Sequence, residues 1–115
     1  MITADLPYPG PDLSQNARVH WSRKARAVKA YRKECWALCH AAGFWKVGAP
    51  GNDKIDVHLT FFHPDKRRRD EDGCIGRMKA GIDGISDALK IDDSRFRLHF
   101  HFSDATGGFV RVWLA

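Results

Sequence analysis

No stretch of the 115-residue chain is apolar over anything near the roughly 20 residues that cross a bilayer. Its opening, MITADLPYPG, has neither a basic n-region nor an apolar h-region, so neither a signal peptide nor a membrane span is expected. Cysteine is scarce and odd in number. Cys35, Cys39 and Cys74 lack the paired spacing of a zinc site, and three thiols cannot all pair within one chain, which fits a reducing cytoplasm. A Walker-type phosphate loop is missing, as is any Ser-His-Asp context, which speaks against a nucleotide-driven motor and a triad hydrolase. Internal repeats and low-complexity tails are absent too. Acidic residues are outnumbered: Lys+Arg 19 against Asp+Glu 14 gives a net charge of +5, so the expected partners are polyanions, nucleic acid first.

What remains is enough to fold. Hydrophobic residues make up 43% of the chain, with Trp 4 and Phe 7, and the length suits one domain with one core, residues 1–115. Residues 1–21 carry turn signals at Pro7, Pro9, Gly10 and Pro11 and read as an extended arm, with a short strand at Ile2 to Leu6. From an N-cap at Ser22 a helix is expected to run to about Ala42, with Val28, Tyr31, Cys35, Leu38 and Ala42 as its buried stripe and Gly43 as its stop. Ile55, Val57, Leu59 and Phe61 alternate with polar neighbours as in a half-buried strand. Ile75, Met78, Ile82, Ile85 and Leu89 mark a second amphipathic helix ending near Lys90. Phe96 to Phe102 and Phe109 to Leu114, joined through Asp104 to Gly108, read as a hairpin. The fold class is α+β, two main helices on a small mixed or antiparallel sheet.

Chemistry concentrates between the strand and the second helix, in His63-Pro64-Asp65-Lys66-Arg67-Arg68-Arg69-Asp70-Glu71-Asp72. Four cations stand against four acids there, and Asp70 and Asp72 sit two apart just ahead of a helix. Hydrolysing a phosphodiester needs an activated water and a stabilised negative charge, and a divalent ion on carboxylate oxygens supplies both. Carboxylates embedded in a basic surface become an acceptor for phosphate once a metal lies between them. Asp92 and Asp93, just past the second helix, offer a third carboxylate. On one continuous helix Asp72, Lys79 and Asp83 would fall within about 40° of one another, away from the apolar stripe. Lys79 could then steady a phosphate or hydroxide with Asp83 fixing its ammonium group.

These residues resemble the RusA family of Holliday junction resolvases. The likeness lies in the Arg-rich run from Asp65 to Asp72, in Lys79-Ala80-Gly81-Ile82-Asp83 and in Asp92-Asp93-Ser94-Arg95-Phe96. The arm segment Leu13 to Trp21, with Asn16 and Arg18, is similar to the family's early segment. The resemblance implies a Mg²⁺-dependent (or Mn²⁺-dependent) endodeoxyribonuclease that cuts four-way junctions and other branched DNA in recombination and repair. It implies a homodimer in the cytoplasm of a bacterial or phage-infected cell, and no membrane. By that likeness Asp70, Asp72 and Asp93 are the catalytic carboxylates and metal ligands, and Lys79 is the catalytic lysine. Asn16, Arg18, Lys66, Arg67, Arg68 and Arg69 contact DNA, and Asp83 and Asp92 support the site. Gly73 stands where the family carries Asn, and Asp72 and Lys79 are seven apart where the family has four, so extra residues are expected to loop out around Gly73 and Gly76.

Two rivals follow from the same residues. A branched-DNA-binding protein without catalysis would tolerate the loss of the Asn, although its acids would then oppose the phosphate backbone. A zinc site at His99 and His101 with His58 or His63 is a weaker alternative. A twofold dimer would place two equivalent cuts on a junction, with Phe44, Trp45, Val47, Trp113 and Leu114 as spare apolar surface for its contact.

Overall fold

The structure is a computed structural model that describes residues 1–15, 17–48, 51 and 53–114. Asn16, one of the expected DNA-contacting residues, lies outside the described residues. The elements follow in the order β1 (Ile2–Pro7), α1 (Trp21–Ala41), β2 (Ile55–Phe62), α2 (Glu71–Gly76), α3 (Lys79–Leu89), β3 (Phe96–Phe102) and β4 (Phe109–Leu114), with short 3-10 turns at Pro11–Leu13, Phe44–Lys46 and Asp93–Arg95. This is an α+β domain with a four-stranded mixed sheet, and among the described residues no helix is long and apolar enough to cross a membrane.

The sheet order is β1-β4-β2-β3. β4 runs antiparallel to both β1 and β2, whereas β3 is parallel to β2, with Ile55 opposite Phe96 and Phe61 opposite Phe102. The expected β3–β4 hairpin is therefore wrong. After Phe102 the chain crosses the end of β2, where Gly107 and Gly108 donate to the carbonyls of His63 and Phe62, and β4 then slots between β1 and β2. Burial records the difference: Val110, Val112 and Leu114 of the interior β4 are almost wholly covered, while Leu98 of the edge strand β3 is 37% exposed.

One face of the sheet builds the core. Leu6, Val57, Leu59, Phe61, Val110 and Val112 pack beneath α1 and α3 with Phe44, Met78 and Ile85. The stripe on α1 is Tyr31, Cys35 and Cys39, at steps of one turn, and not the wider one expected: Val28 and Leu38 are exposed. Burial pushes both thiols, Cys35 and Cys39, up to about 12, so they sit as protonated core side chains. α1 is capped two residues earlier than its sequence suggests, at His20, whose Nδ1 accepts from Ser22 N–H at 3.2 Å. It ends where Gly43 turns left-handed at φ 88°, the conformation glycine adopts at least cost.

α1 and α3 approach closely because glycines face the contact. A Cβ on Gly84 would stand 2.5 Å from the Arg32 carbonyl oxygen, and one on Gly81 2.9 Å from the Tyr31 ring. Arg32 and Asp87 close the outer edge as a two-pronged pair at 2.7 and 2.9 Å. The second helix of the sequence reading is in fact two. Its backbone breaks at Arg77 and Met78, directly after Gly76, while Met78 stays fully buried and carries the apolar stripe across the break. The spare apolar surface is also smaller than expected, since Phe44 and Leu114 are buried and Trp45 and Val47 remain exposed.

Candidate active site

The Arg-rich loop leaves β2 at Phe62 and is braced from beneath. Tyr8, just past β1, places its hydroxyl 2.7 Å from His63 Nδ1 and 3.5 Å from the Cys74 thiol, tying the arm, the end of β2 and α2 together. Burial, and then the adjacent Arg69, hold His63 below its ordinary value, so the ring is neutral at pH 7.

Within the loop Arg69 is the staple. Its Nη1 lies 2.9 Å from an Asp65 carboxylate oxygen and donates to the carbonyls of Asp65 and Arg67 at 3.1 and 3.0 Å. Only 19% of its side chain is exposed. Asp65 also accepts the Arg67 N–H at 2.9 Å, and these bonds, Arg69 first, hold its carboxyl far below the usual carboxylate range. Arg69 is thus committed to loop geometry. Lys66, Arg67 and Arg68 are exposed, with Arg67 making only long Nε contacts of 3.3 to 3.4 Å to Asp65. Arg18 is exposed as well.

Beyond the staple the chain opens into a hollow of about 520 Å³ lined by Arg68, Arg69, Asp70, Glu71 and Asp72. Asp70 occupies the N-cap position of α2 and its carbonyl accepts the Cys74 N–H at 3.1 Å, yet its carboxylate does not cap the helix. That carboxylate lies over Gly73 instead, where a Cβ would sit 3.3 Å from Oδ2. The absence of a side chain at Gly73 therefore leaves room that the Asp70 side chain uses. Asp5, Asp12, Asp56, Asp65, Asp83, Asp87 and Asp93 all form ion pairs, whereas Asp70, Glu71 and Asp72 form none and accept no side-chain hydrogen bond among the described residues.

Lys79 opens α3 and centres a second charged cluster, outside the lining of that hollow. Its Nζ is 3.1 Å from Asp83 Oδ1, one turn on, and 3.0 Å from Asp93 Oδ2. The loop after α3 has folded back along the helix to make that contact. Asp92 fixes the fold-back by accepting the Ser94 N–H at 2.8 Å, the bond that also lowers its own carboxyl. Asp93 and then Asp83 push the Lys79 ammonium above its ordinary value, so it is charged throughout the physiological range. The pairing of Lys79 with Asp83 read from the sequence is present, whereas Asp93, expected as a metal ligand, pairs with Lys79; the alignment of Asp72 with Lys79 on one continuous helix is lost at the Arg77–Met78 break.

Asp70, Asp72 and Asp93 do not gather into one centre: among the described residues no three His, Cys, Asp or Glu side chains stand together as a metal site. The donor chemistry nevertheless suits a hard cation. Mg²⁺ keeps several waters and binds through one or two carboxylates plus substrate phosphates, a set that Asp70 and Asp72, both unpaired and oxygen-only, match.

Sequence reasoning passed over Tyr8 and Asp65 as organisers of this loop. The Asp65–Arg69 spacing of four and the Asp-x-Arg turn were the available signals for Asp65; nothing local announced Tyr8, whose partners lie 55 and 66 residues away.

No family model matches the chain. It is 40% identical over 99 residues to a protein of Xylella fastidiosa described as uncharacterized, a match covering 86% of this chain and 65% of that protein, so the chain spans less than two thirds of its relative's length.

Proposed function

We propose that the chain is a divalent-metal-dependent endodeoxyribonuclease of the RusA kind, acting as a twofold homodimer on four-way junctions and other branched DNA in the cytoplasm of a bacterial or phage-infected cell. The observation that carries this reading is the run of unpaired carboxylates Asp70, Glu71 and Asp72 set in an Arg-lined hollow, in a chain whose other acids are mostly paired. A solvated loop of a basic protein gains nothing by keeping three bare carboxylates against the backbone of a polyanion.

Asp70 and Asp72 are the residues that would hold Mg²⁺ or Mn²⁺, and the bound ion supplies neutralisation of phosphate charge and an acidified water. Lys66, Arg67 and Arg68 bind the flanking phosphates, while Arg69 keeps them presented by stapling the loop. Lys79 offers a fixed cation to the reacting phosphate. Asp83 and Asp93 are its positioning residues, and Asp92 positions Asp93. A homodimer answers the chemistry of resolution, which requires two symmetric cuts.

The test is cleavage of a synthetic four-way junction in Mg²⁺ beside a chelator control. Asp70→Asn and Asp72→Asn are expected to slow cleavage by about 100-fold or more, the loss that several kcal/mol of charge stabilisation implies. Junction binding should hold or tighten, since a repelling charge has gone. Wild-type protein that binds junctions tightly and never cuts them would replace this reading with that of a non-catalytic branched-DNA-binding protein, the reading favoured by the engagement of Asp93 with Lys79.

A further inference from the structure

The sheet face turned away from the helices is not a plain solvated surface. Trp113 of β4, His58 of β2 and His99 of β3 are register partners on one rung, and their rings stack across the strands. The Trp113 and His58 rings are 3.8 Å apart at 9°, and His58 and His99 are 4.4 Å apart at 15°. His58 therefore covers one face of the indole. The other face looks toward β1, where the register partner is Thr3, too short to cover it.

A groove of about 550 Å³ opens beside Trp113, and its lining includes Met1, Thr3, Asp5, Phe62, Arg111 and Trp113. Its volume is that of an ordinary small-molecule site. Arg111 and Asp5 are paired within it at 2.7 and 3.2 Å, and the guanidinium lies 5.4 Å from the Phe62 ring and 5.3 Å from the Phe109 ring.

The lining selects its occupant. An aromatic face left bare at the end of a ring stack takes a flat ring. A hydrocarbon ring would strip water from the Asp5–Arg111 pair and return nothing to it. A phosphate would meet the Asp5 carboxylate. A heteroaromatic edge carrying both donors and acceptors satisfies the pair from both sides, and Trp113 stacks its plane. We propose that this groove binds an unpaired nucleobase.

The placement suits a strand of nucleic acid. Phe62 ends β2, and the loop bearing Lys66, Arg67 and Arg68 springs from that same end, so a backbone held by the loop carries its bases toward the groove. The inference shares with the nuclease reading its class of partner, and it uses neither the carboxylates nor Lys79.

The experiment follows the Trp113 indole N–H resonance of the labelled full chain in chelator, during titration with deoxyadenosine monophosphate and, in parallel, with deoxyribose 5-phosphate as the baseless control. The nucleotide is expected to shift the resonance saturably and the control to leave it unmoved. Thr3→Trp, which fills the groove, and Trp113→Leu, which removes the stacking face, should each weaken nucleotide binding at least tenfold by calorimetry while Lys33→Ala, on the exposed side of α1, leaves it unchanged. Equal shifts with the baseless sugar phosphate, or full affinity in a folded Trp113→Leu protein, would overturn the proposal. So would a Trp113 shift that follows protein concentration alone and disappears in Thr3→Trp, which assigns the groove to a second copy of the chain. The titration contains no metal and no cleavage step, so failure here leaves the nuclease reading standing, and failure of junction cleavage leaves this one standing.

Discussion

His58 Nδ1 and His101 Nε2 lie 3.0 Å apart, with the two rings almost coplanar at 12° and their centroids 5.3 Å apart, so the imidazoles meet end to end. One proton between the two nitrogens satisfies both; two protons drive them apart. That geometry serves a shared hydrogen bond better than a metal, because lone pairs aimed at each other at this distance leave no room for Zn–N bonds of about 2.0–2.1 Å on each side.

Acid should therefore weaken the fold before any carboxylate titrates. Burial first, then His99 and His101, hold His58 below its ordinary value, with Asp56 opposing, and burial does the same to His63. In the unfolded chain both rings take up protons near pH 6.5, so as pH falls through that value the unfolded state binds more protons and stability drops. The stabilisation is fully present above pH 6.5 and diminishes toward the lower folded values. Thermal melts between pH 7.5 and 5.0 should show a fall on the order of a few degrees. His58→Gln should flatten part of it; an unchanged slope would place the titration elsewhere.

Gly84→Ala should be costly. The added methyl would meet the Arg32 carbonyl at 2.5 Å and the Trp36 N at 3.0 Å, and helix backbone cannot step aside as a side chain does. A loss of about 1–3 kcal/mol or more is expected in urea unfolding. Gly10→Ala, which meets nothing within 4 Å, is the control.

Gly73→Ala should separate stability from activity. Alanine in place of a helical glycine stabilises by up to about 1 kcal/mol, but its methyl presses on the Asp70 carboxylate at 3.3 Å. Unfolding should shift toward higher urea while Mg²⁺-dependent cleavage falls. Unchanged cleavage would show that Asp70 keeps its function in a displaced position.

Lys66, Arg67 and Arg68 on one side and Arg69 on the other should behave differently when replaced by Ala. Each of the first three, where it meets a phosphate, should reduce the salt slope of DNA binding by about 1 with no change in melting temperature. Arg69→Ala should lower the melting temperature and loosen the loop, because its guanidinium holds Asp65 and two carbonyls.

The parts of the fold that a single element dictates were legible in the sequence. β2 alternates cleanly, and its buried set of Val57, Leu59 and Phe61 is the one its pattern implies. Sheet order depends on which strands choose each other, and no local pattern carries that choice. The six-residue connection from Ser103 to Gly108 looks like a hairpin turn and serves as a crossing. A subtler signal existed in Val110 and Val112, β-branched residues suited to an interior strand, against the alternating histidines of β3. The helix break was hidden because Met78 keeps the apolar stripe in phase across it. At the site, Lys79 and Asp83 were readable at a spacing of four, and Asp93 reaches them only because Asp92 bends the chain back. The groove beside Trp113 could not be read at all, since its lining comes from β1, β2 and β4, and only the sheet order brings them side by side.

Because β4 is the strand that joins β1 to the rest of the sheet, a chain emerging from the ribosome carries β1 and β2 with their shared neighbour still unmade. β2 and β3 can pair, but one edge of β2 stays bare and β1 has no sheet to enter until residues 109–114 are free. Bare edges of that kind recruit other chains, so the interval before β4 docks is when this fold is most exposed to aggregation. A deletion of these six residues would strip an interior strand out of the sheet, and β1 would come loose with β4.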